Sequence, residues 1–176
     1  MNHTQITEPY AHHAEQTVPA IRLMSVSRSF RSAGGLLEVL QDVNLVVAPE
    51  AIVGLIGASG SGKSTLLTTS AATLKADAAQ VCICGATAEE FNDWCAVSYM
   101  FQDDRLLPWR TALHNVEFVL EAGSMPKGER VRRAREALRL VELAAFEEAF
   151  PYQLSGGMRS RVALARSLVT EPRILL

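Results

Sequence analysis

Nine consecutive residues constrain this chain more than any other feature: Gly57-Ala58-Ser59-Gly60-Ser61-Gly62-Lys63-Ser64-Thr65. They fit the pattern G-x-x-x-x-G-K-[ST] in full. A triphosphate brings about four negative charges, and successive backbone N–H groups wrap such an anion only where side chains do not intrude. Glycine at 57, 60 and 62 permits a tight, partly left-handed turn. A helix opening after the loop adds its positive end and its unpaired N–H donors. Lys63 then neutralises the β- and γ-phosphates, and the Ser64 hydroxyl is a Mg²⁺ ligand. A Gly/Ser-rich loop that binds nothing would share the composition, so the flanking pattern decides. Ile52-Val53-Gly54-Leu55-Ile56 is a short apolar run after Pro49, which predicts a strand buried on both faces. Residues Lys63 to Leu74 have good helical content.

Elsewhere the pattern predicts strands early and helices in the middle. Ile21 to Val26 reads as an edge strand, and Ser32-Ala33-Gly34-Gly35 as a turn. Val39-Leu40, Val43 to Val47, Val81 to Gly85 and Ala96 to Phe101 are further strands. Lys127 to Val141 places Val131, Ala134, Leu138 and Val141 on one helix face, with Lys127, Arg130, Arg132, Arg133, Arg135 and Arg139 on the other. A last helix opens after Ser155-Gly156-Gly157, with Val162, Leu164, Ala165 and Leu168 apolar, and Ile174-Leu175-Leu176 reads as the start of a strand. The order predicts an α/β core interrupted by a helical subdomain.

Composition excludes several classes. With 176 residues the chain has the length of one domain. A net charge of −2 argues against a surface that is basic throughout, and 48% hydrophobic residues argue against a wholly disordered chain. No apolar run is long enough to span a bilayer, and the polar, His-rich residues 1–20 read as a solvated tail without a secretory signal. Cys82, Cys84 and Cys95 are odd in number, which excludes a complete disulfide framework. Alternation puts Cys82 and Cys84 on one strand face, where reduced, buried thiols are a better reading than a metal site short of ligands.

The second motif is Leu154-Ser155-Gly156-Gly157-Met158. Ser155 is a good N-cap, and paired glycines let backbone N–H groups approach an anion. Together with the loop at Lys63, this string makes the chain from about Ile21 onward resemble the nucleotide-binding subunits of ABC transporters. Leu154 to Met158 resembles that family's signature motif, and Arg159 to Leu168 the helix after it. Phe101-Gln102-Asp103 resembles the Q-loop, with Gln102 at the position that reaches Mg²⁺ and the attacking water. Phe30 matches the aromatic that stacks on adenine.

The resemblance implies an α/β fold of the P-loop NTPase, ABC type: a core sheet, an N-terminal antiparallel β-subdomain, and an inserted α-helical subdomain at about residues 103–160, within an ATP-binding domain spanning 21–176. It implies ATP and Mg²⁺ as ligands. Gly57, Ala58, Ser59, Gly60, Ser61, Gly62, Lys63, Ser64, Thr65 and Phe30 would bind the nucleotide, and Ser64 and Gln102 the metal. A homodimer or paired subunit would cap that nucleotide in trans with Leu154, Ser155, Gly156, Gly157 and Met158, consistent with isologous symmetry. Transmembrane permease subunits, contacted through the Gln102 loop and the helical insert, and an extracellular or periplasmic solute-binding protein are the further partners. The location implied is cytoplasmic, on the inner face of the membrane. Asp104-Arg105-Leu106-Leu107-Pro108-Trp109 and Met158 resemble the importer subgroup for nitrate, sulfonate, taurine and related anions, although Leu106 to Trp109 also reads as a generic hydrophobic docking patch.

Departures accompany the resemblance. Glu50-Ala51 stands where Gly-Glu is usual, Ala71-Ala72-Thr73 where Ala-Gly-Leu is usual, and Ala79 where a turn glycine is common. Each puts a Cβ where the family pattern has none, at a cost of order 1 kcal/mol where the glycine turn is kept. The family's Walker B aspartate, catalytic glutamate and switch histidine would follow Leu176, and His3, His12, His13 and His114 precede the signature. The expectation is therefore a domain incomplete at its C-terminus, with ATP turnover no faster than background. Two alternatives stand beside transport: a non-enzymatic remnant, and an ABC-type ATPase acting on nucleic acid through the basic face at Lys127 to Arg139. The second would normally carry a long coiled coil between the two motifs, and no nucleic-acid partner is expected.

Overall fold

The computed structural model describes residues 18–32, 35–71 and 78–176, and the chain divides into two compact units, residues 1–92 and 93–176. Most of the predicted tail, the two central residues of the turn at Ser32–Gly35 and the 72–74 end of the first predicted helix lie outside the described residues.

The first unit is an antiparallel sheet. Strand β1 (Ile21–Ser32) pairs with β2 (Gly35–Val47) on one side and β3 (Ala78–Ile83) on the other, with a short β4 (Ala86–Thr87) beyond β3. Ile21 faces Val47 and Ile83, and Leu23 faces Leu45 and Val81. The edge strand predicted at Ile21–Val26 is thus interior and twice as long: alternation identifies a strand but not how many neighbours it finds. The register shifts between Leu23 and Val26, where Ser25 is left-handed (φ 50°) and its amide donates to Asn44 Oδ1 at 2.9 Å. This bulge resets the alternation, so Ile21, Leu23 and Val26 all point inward and are buried. Val39–Leu40 and Val43–Val47 are parts of one strand, β2.

Two expectations are corrected here. The run Ile52–Ile56 is not a buried strand. It is irregular and pairs with no strand among the described residues, and Ile52 is fully exposed and Ile56 83% exposed. Apolarity marks a segment for removal from water, but a strand exists only when another backbone supplies the ladder. Cys82 and Cys84 do not share a strand face: β3 ends at Ile83, and Cys84 is a left-handed turn residue (φ 49°). All three cysteines are free thiols, with Cys82 and Cys84 only partly buried and Cys95 exposed. No metal-holding cluster occurs among the described residues.

The second unit is mainly helical. A two-residue parallel sheet joins β5 (Val97–Ser98) to β6 (Ile174–Leu175), extended by Met100 N–H to Leu176 O at 2.7 Å. The strand predicted over Ala96–Phe101 is reduced to two residues: Trp94–Ala96 form a 3₁₀ turn that takes Ala96, and the partner strand β6 is itself two residues long. Helices α2 (Ala112–Glu117), α3 (Lys127–Leu140) and α4 (Gly156–Leu168) bury Leu113, Val116, Ala134, Leu138 and Val162 in one core with Leu106, Val141, Leu143 and Leu154. The apolar face predicted for α3 is the buried one, with Val131 packed at its margin.

Four arginines of the basic face of α3 are paired with carboxylates in place. Arg132 pairs with Glu129 and Glu136, each at 2.6 Å, and Arg135 with Glu147 at 2.9 Å. Arg130 reaches the buried Glu117 at 3.1 Å.

Candidate functional site

The loop Gly57–Gly62 leads directly into α1 (Lys63–Ser70). Gly62 is the N-cap and is left-handed (φ 89°), and Gly60 is left-handed as well (φ 78°). A Cβ on Gly62 would lie 2.9 Å from Val39 O, and one on Gly57 would lie 2.8 Å from Ser61 Oγ. Left-handed backbone favours glycine at 60 and 62, with the Val39 carbonyl adding a close approach at 62, whereas at 57 a Cβ would meet the Ser61 hydroxyl, which can turn away. The Lys63 ammonium folds over the loop and donates to Gly57 O at 2.8 Å, Ala58 O at 2.7 Å and Ser61 Oγ at 3.3 Å. A cation held by neutral acceptors at a helix N-terminus is an anion-binding arrangement. These residues fit a phosphate chain: Gly60 and Gly62 hold a left-handed turn before α1, and the Lys63 ammonium sits against carbonyls of the same loop. Ser64, the second residue of α1, is exposed.

Phe30 belongs to the same unit. It lies on β1 opposite Leu37, half buried, with the Arg28 guanidinium 5.0 Å from the centre of its ring. The departure at Glu50 has a visible consequence. This residue adopts φ 60°, the left-handed conformation that the family pattern assigns to glycine.

Gln102 and the second motif belong to the other unit. Gln102 is exposed in the turn after Phe101. Ser155 caps α4 as expected, accepting from the Met158 amide at 3.3 Å, while Leu154 is buried beneath it and Gly156 and Gly157 are exposed. The structure brings the Gln102 segment and the signature helix together through residues that sequence reasoning did not assign. Asp104 accepts from Arg159 at 2.9 Å, and Arg166 donates to the carbonyls of Asp104 and Arg105. The available signal was the placement of Arg159 and Arg166 two turns apart on one helix face.

The sequence matches the ABC transporter family over residues 40–176. This chain belongs to that family, and its fold is the P-loop NTPase fold of the family's ATP-binding cassettes. It is 44% identical over 143 residues to the taurine import ATP-binding protein TauB of Pseudomonas savastanoi pv. phaseolicola, which covers 81% of this chain and 54% of that protein. To TauB of Pseudomonas entomophila it is 41% identical, with the same coverages. The chain thus spans about half the length of these curated relatives. Among solved structures, the ATP-binding cassette MJ0796, a dimer in a post-hydrolysis state bound to ADP and Pi, superposes with a TM-score of 0.81 at 34% identity, over 88% of this chain and 72% of that one. A fold likeness also extends to cbiO1 of Clostridium perfringens, with a TM-score of 0.75 at 21% identity, over 89% and 64% of the two chains. No helix among the described residues is long and apolar enough to cross a membrane.

Proposed function

We propose that this chain is the ATP-binding part of an ABC importer for a small organic anion, with a sulfonate such as taurine as the favoured substrate class. The observation that carries the nucleotide reading is the Lys63 ammonium folded over Gly57 O and Ala58 O at the mouth of α1. On binding, the phosphates replace these two carbonyls as the ammonium's partners, and the amides of Ala58 to Thr65 close around them. Phe30 supplies a face for the base. The Ser64 hydroxyl would hold Mg²⁺, which when bound would screen the phosphate charge, and the family resemblance gives Gln102 the role of reaching the metal and the attacking water. The similarity to TauB proteins supports the substrate class, and the Asp104 to Trp109 segment accords with it.

A second copy or a paired subunit completes the site, with Leu154 to Met158 of one chain closing over the nucleotide of the other. The exposed, capped turn at Ser155-Gly156-Gly157 supports this role. In the same reading residues 103–160 form the helical subdomain that meets the permease. Trp109, 71% exposed, stands at the rim of a cleft of about 490 Å³ that also involves Arg110, His114 and Phe150. An exposed aromatic anchor of this kind suits a protein partner. The chain would lie on the cytoplasmic face of the membrane, supplied by a solute-binding protein outside, and the whole protein would hydrolyse ATP.

Titration calorimetry with Mg-ATP tests the nucleotide reading. Lys63→Ala should weaken binding by about tenfold or more, because it removes a charge-assisted contact to phosphate. Binding that is equal in the two proteins, or absent from the unaltered chain, would overturn it.

A further inference from the structure

The turn that contains Gln102 is fastened to one face of α4 by two arginines. Arg159 Nε donates to Asp104 Oδ2 at 2.9 Å, and its Nη1 donates to Leu154 O at 3.1 Å. Arg166, on the same face two turns later, donates to Asp104 O at 2.7 Å and Arg105 O at 2.9 Å. The other Asp104 oxygen accepts from the Leu106 amide at 3.2 Å. Arg105 is left-handed (φ 45°) and lays its guanidinium 3.9 Å from the centre of the Phe101 ring, so contacts close the turn on both sides of Gln102. A non-glycine residue keeps that conformation only where its surroundings hold it. Burial works against the charge on Arg166 and lowers its pKa, so the two carbonyls compensate for an unfavourable placement.

The Arg159–Asp104 pair is partly open to solvent, with side chains 38% and 28% exposed. Ion pairs so placed add little to stability. What this pair supplies is orientation. It joins the turn after Gln102 to the first turn of α4, and Arg159 also holds the carbonyl of Leu154, the residue before the Ser155 cap. On the two-chain reading of Proposed function, we propose that Asp104 and Arg159 are positioning residues. They make the Gln102 turn and the Ser155-Gly156-Gly157 end of α4 one rigid body, so the signature turn meets a second chain's nucleotide only in the orientation that the Gln102 turn sets. Loosening the pair leaves each chain's own nucleotide loop intact and spoils the contact made in trans.

The test measures two quantities on the purified chain: Mg-ATP affinity by calorimetry, and ATP-dependent self-association by sedimentation velocity. Asp104→Asn and Arg159→Ala should keep ATP affinity within about twofold and weaken association about fivefold, without a matching loss of melting temperature. The double variant Asp104→Arg with Arg159→Asp should recover association. Unchanged association in both single variants overturns the role. So does a parallel fall of affinity, association and melting temperature, which is what a merely structural pair would give. An unaltered chain that binds Mg-ATP but does not associate overturns the two-chain reading and the positioning role with it. One that binds no ATP overturns the nucleotide reading itself.

Discussion

Asn115 and Leu107 form a closed ring of two hydrogen bonds: Leu107 N–H donates to Asn115 Oδ1 at 2.7 Å, and Asn115 Nδ2 donates back to Leu107 O at 3.1 Å. The same Nδ2 lies 2.9 Å from Arg110 O and 3.0 Å from Thr111 O. Asn115 is wholly buried, so one side chain of α2 satisfies the backbone of the Leu107–Thr111 turn and holds Trp109 outward. Asn115→Ala should cost about 3 kcal/mol, since it leaves buried peptide groups without partners. Urea denaturation monitored by tryptophan fluorescence measures that loss, and a change below about 1 kcal/mol would contradict the assignment.

The glycines of the loop should separate strain from collision. Gly60→Ala meets nothing within 4 Å and should cost about 1 kcal/mol, for a left-handed alanine alone. Gly62→Ala adds a 2.9 Å approach to Val39 O and should cost about 2 kcal/mol or more. Equal losses in thermal or chemical unfolding would show that the close approach is relieved at no cost.

Leu138 is fully buried among α2, α3 and α4. Leu138→Ala should destabilise the second unit by about 3 kcal/mol, the lost transfer energy plus a cavity. Hydrogen exchange should show the loss in residues 93–176. Loss of protection confined to residues 18–71 would contradict the division into two units.

The Glu129 carboxyl is held at about 2, below its ordinary 4.5, by hydrogen bonds from Arg132 and then Arg133. A depressed acid adds stability above its unfolded value, and that stability is lost as pH falls from about 4.5 toward about 2. The group is partly open to solvent, so the effect is small. Glu129→Gln should be slightly less stable than the unaltered chain near pH 6, and the gap should narrow by about pH 3. A gap that widens on acidification would reverse the sign and refute the pairing.

Legibility in the sequence followed the range of the interaction. The loop at Gly57–Lys63, the Ser155 cap and the buried face of α3 were all readable, because each depends on residues within one or two turns of chain. The Ile52–Ile56 run was misread because apolarity states a need for burial without naming the partner strand. The Cys82 and Cys84 thiols were misplaced because β3 ends one residue before Cys84, where a left-handed turn breaks the alternation. Asp104 was read only as part of a subgroup-like string, since its partner Arg159 lies far along the chain.

The sequence by itself determined the glycine loop that leads into α1, the Ser155 cap of α4 and the helical periods. Those features are written in backbone freedom, capping and spacing, which neighbouring residues specify locally. Only the tertiary structure decided that β1 is interior, that Arg130 of α3 pairs with Glu117 and Arg135 with Glu147, and that Arg159 and Arg166 fasten the Gln102 turn to α4. Each of those outcomes depends on which distant segments return to meet, and edge pairing and charge pairing have no signature until they do.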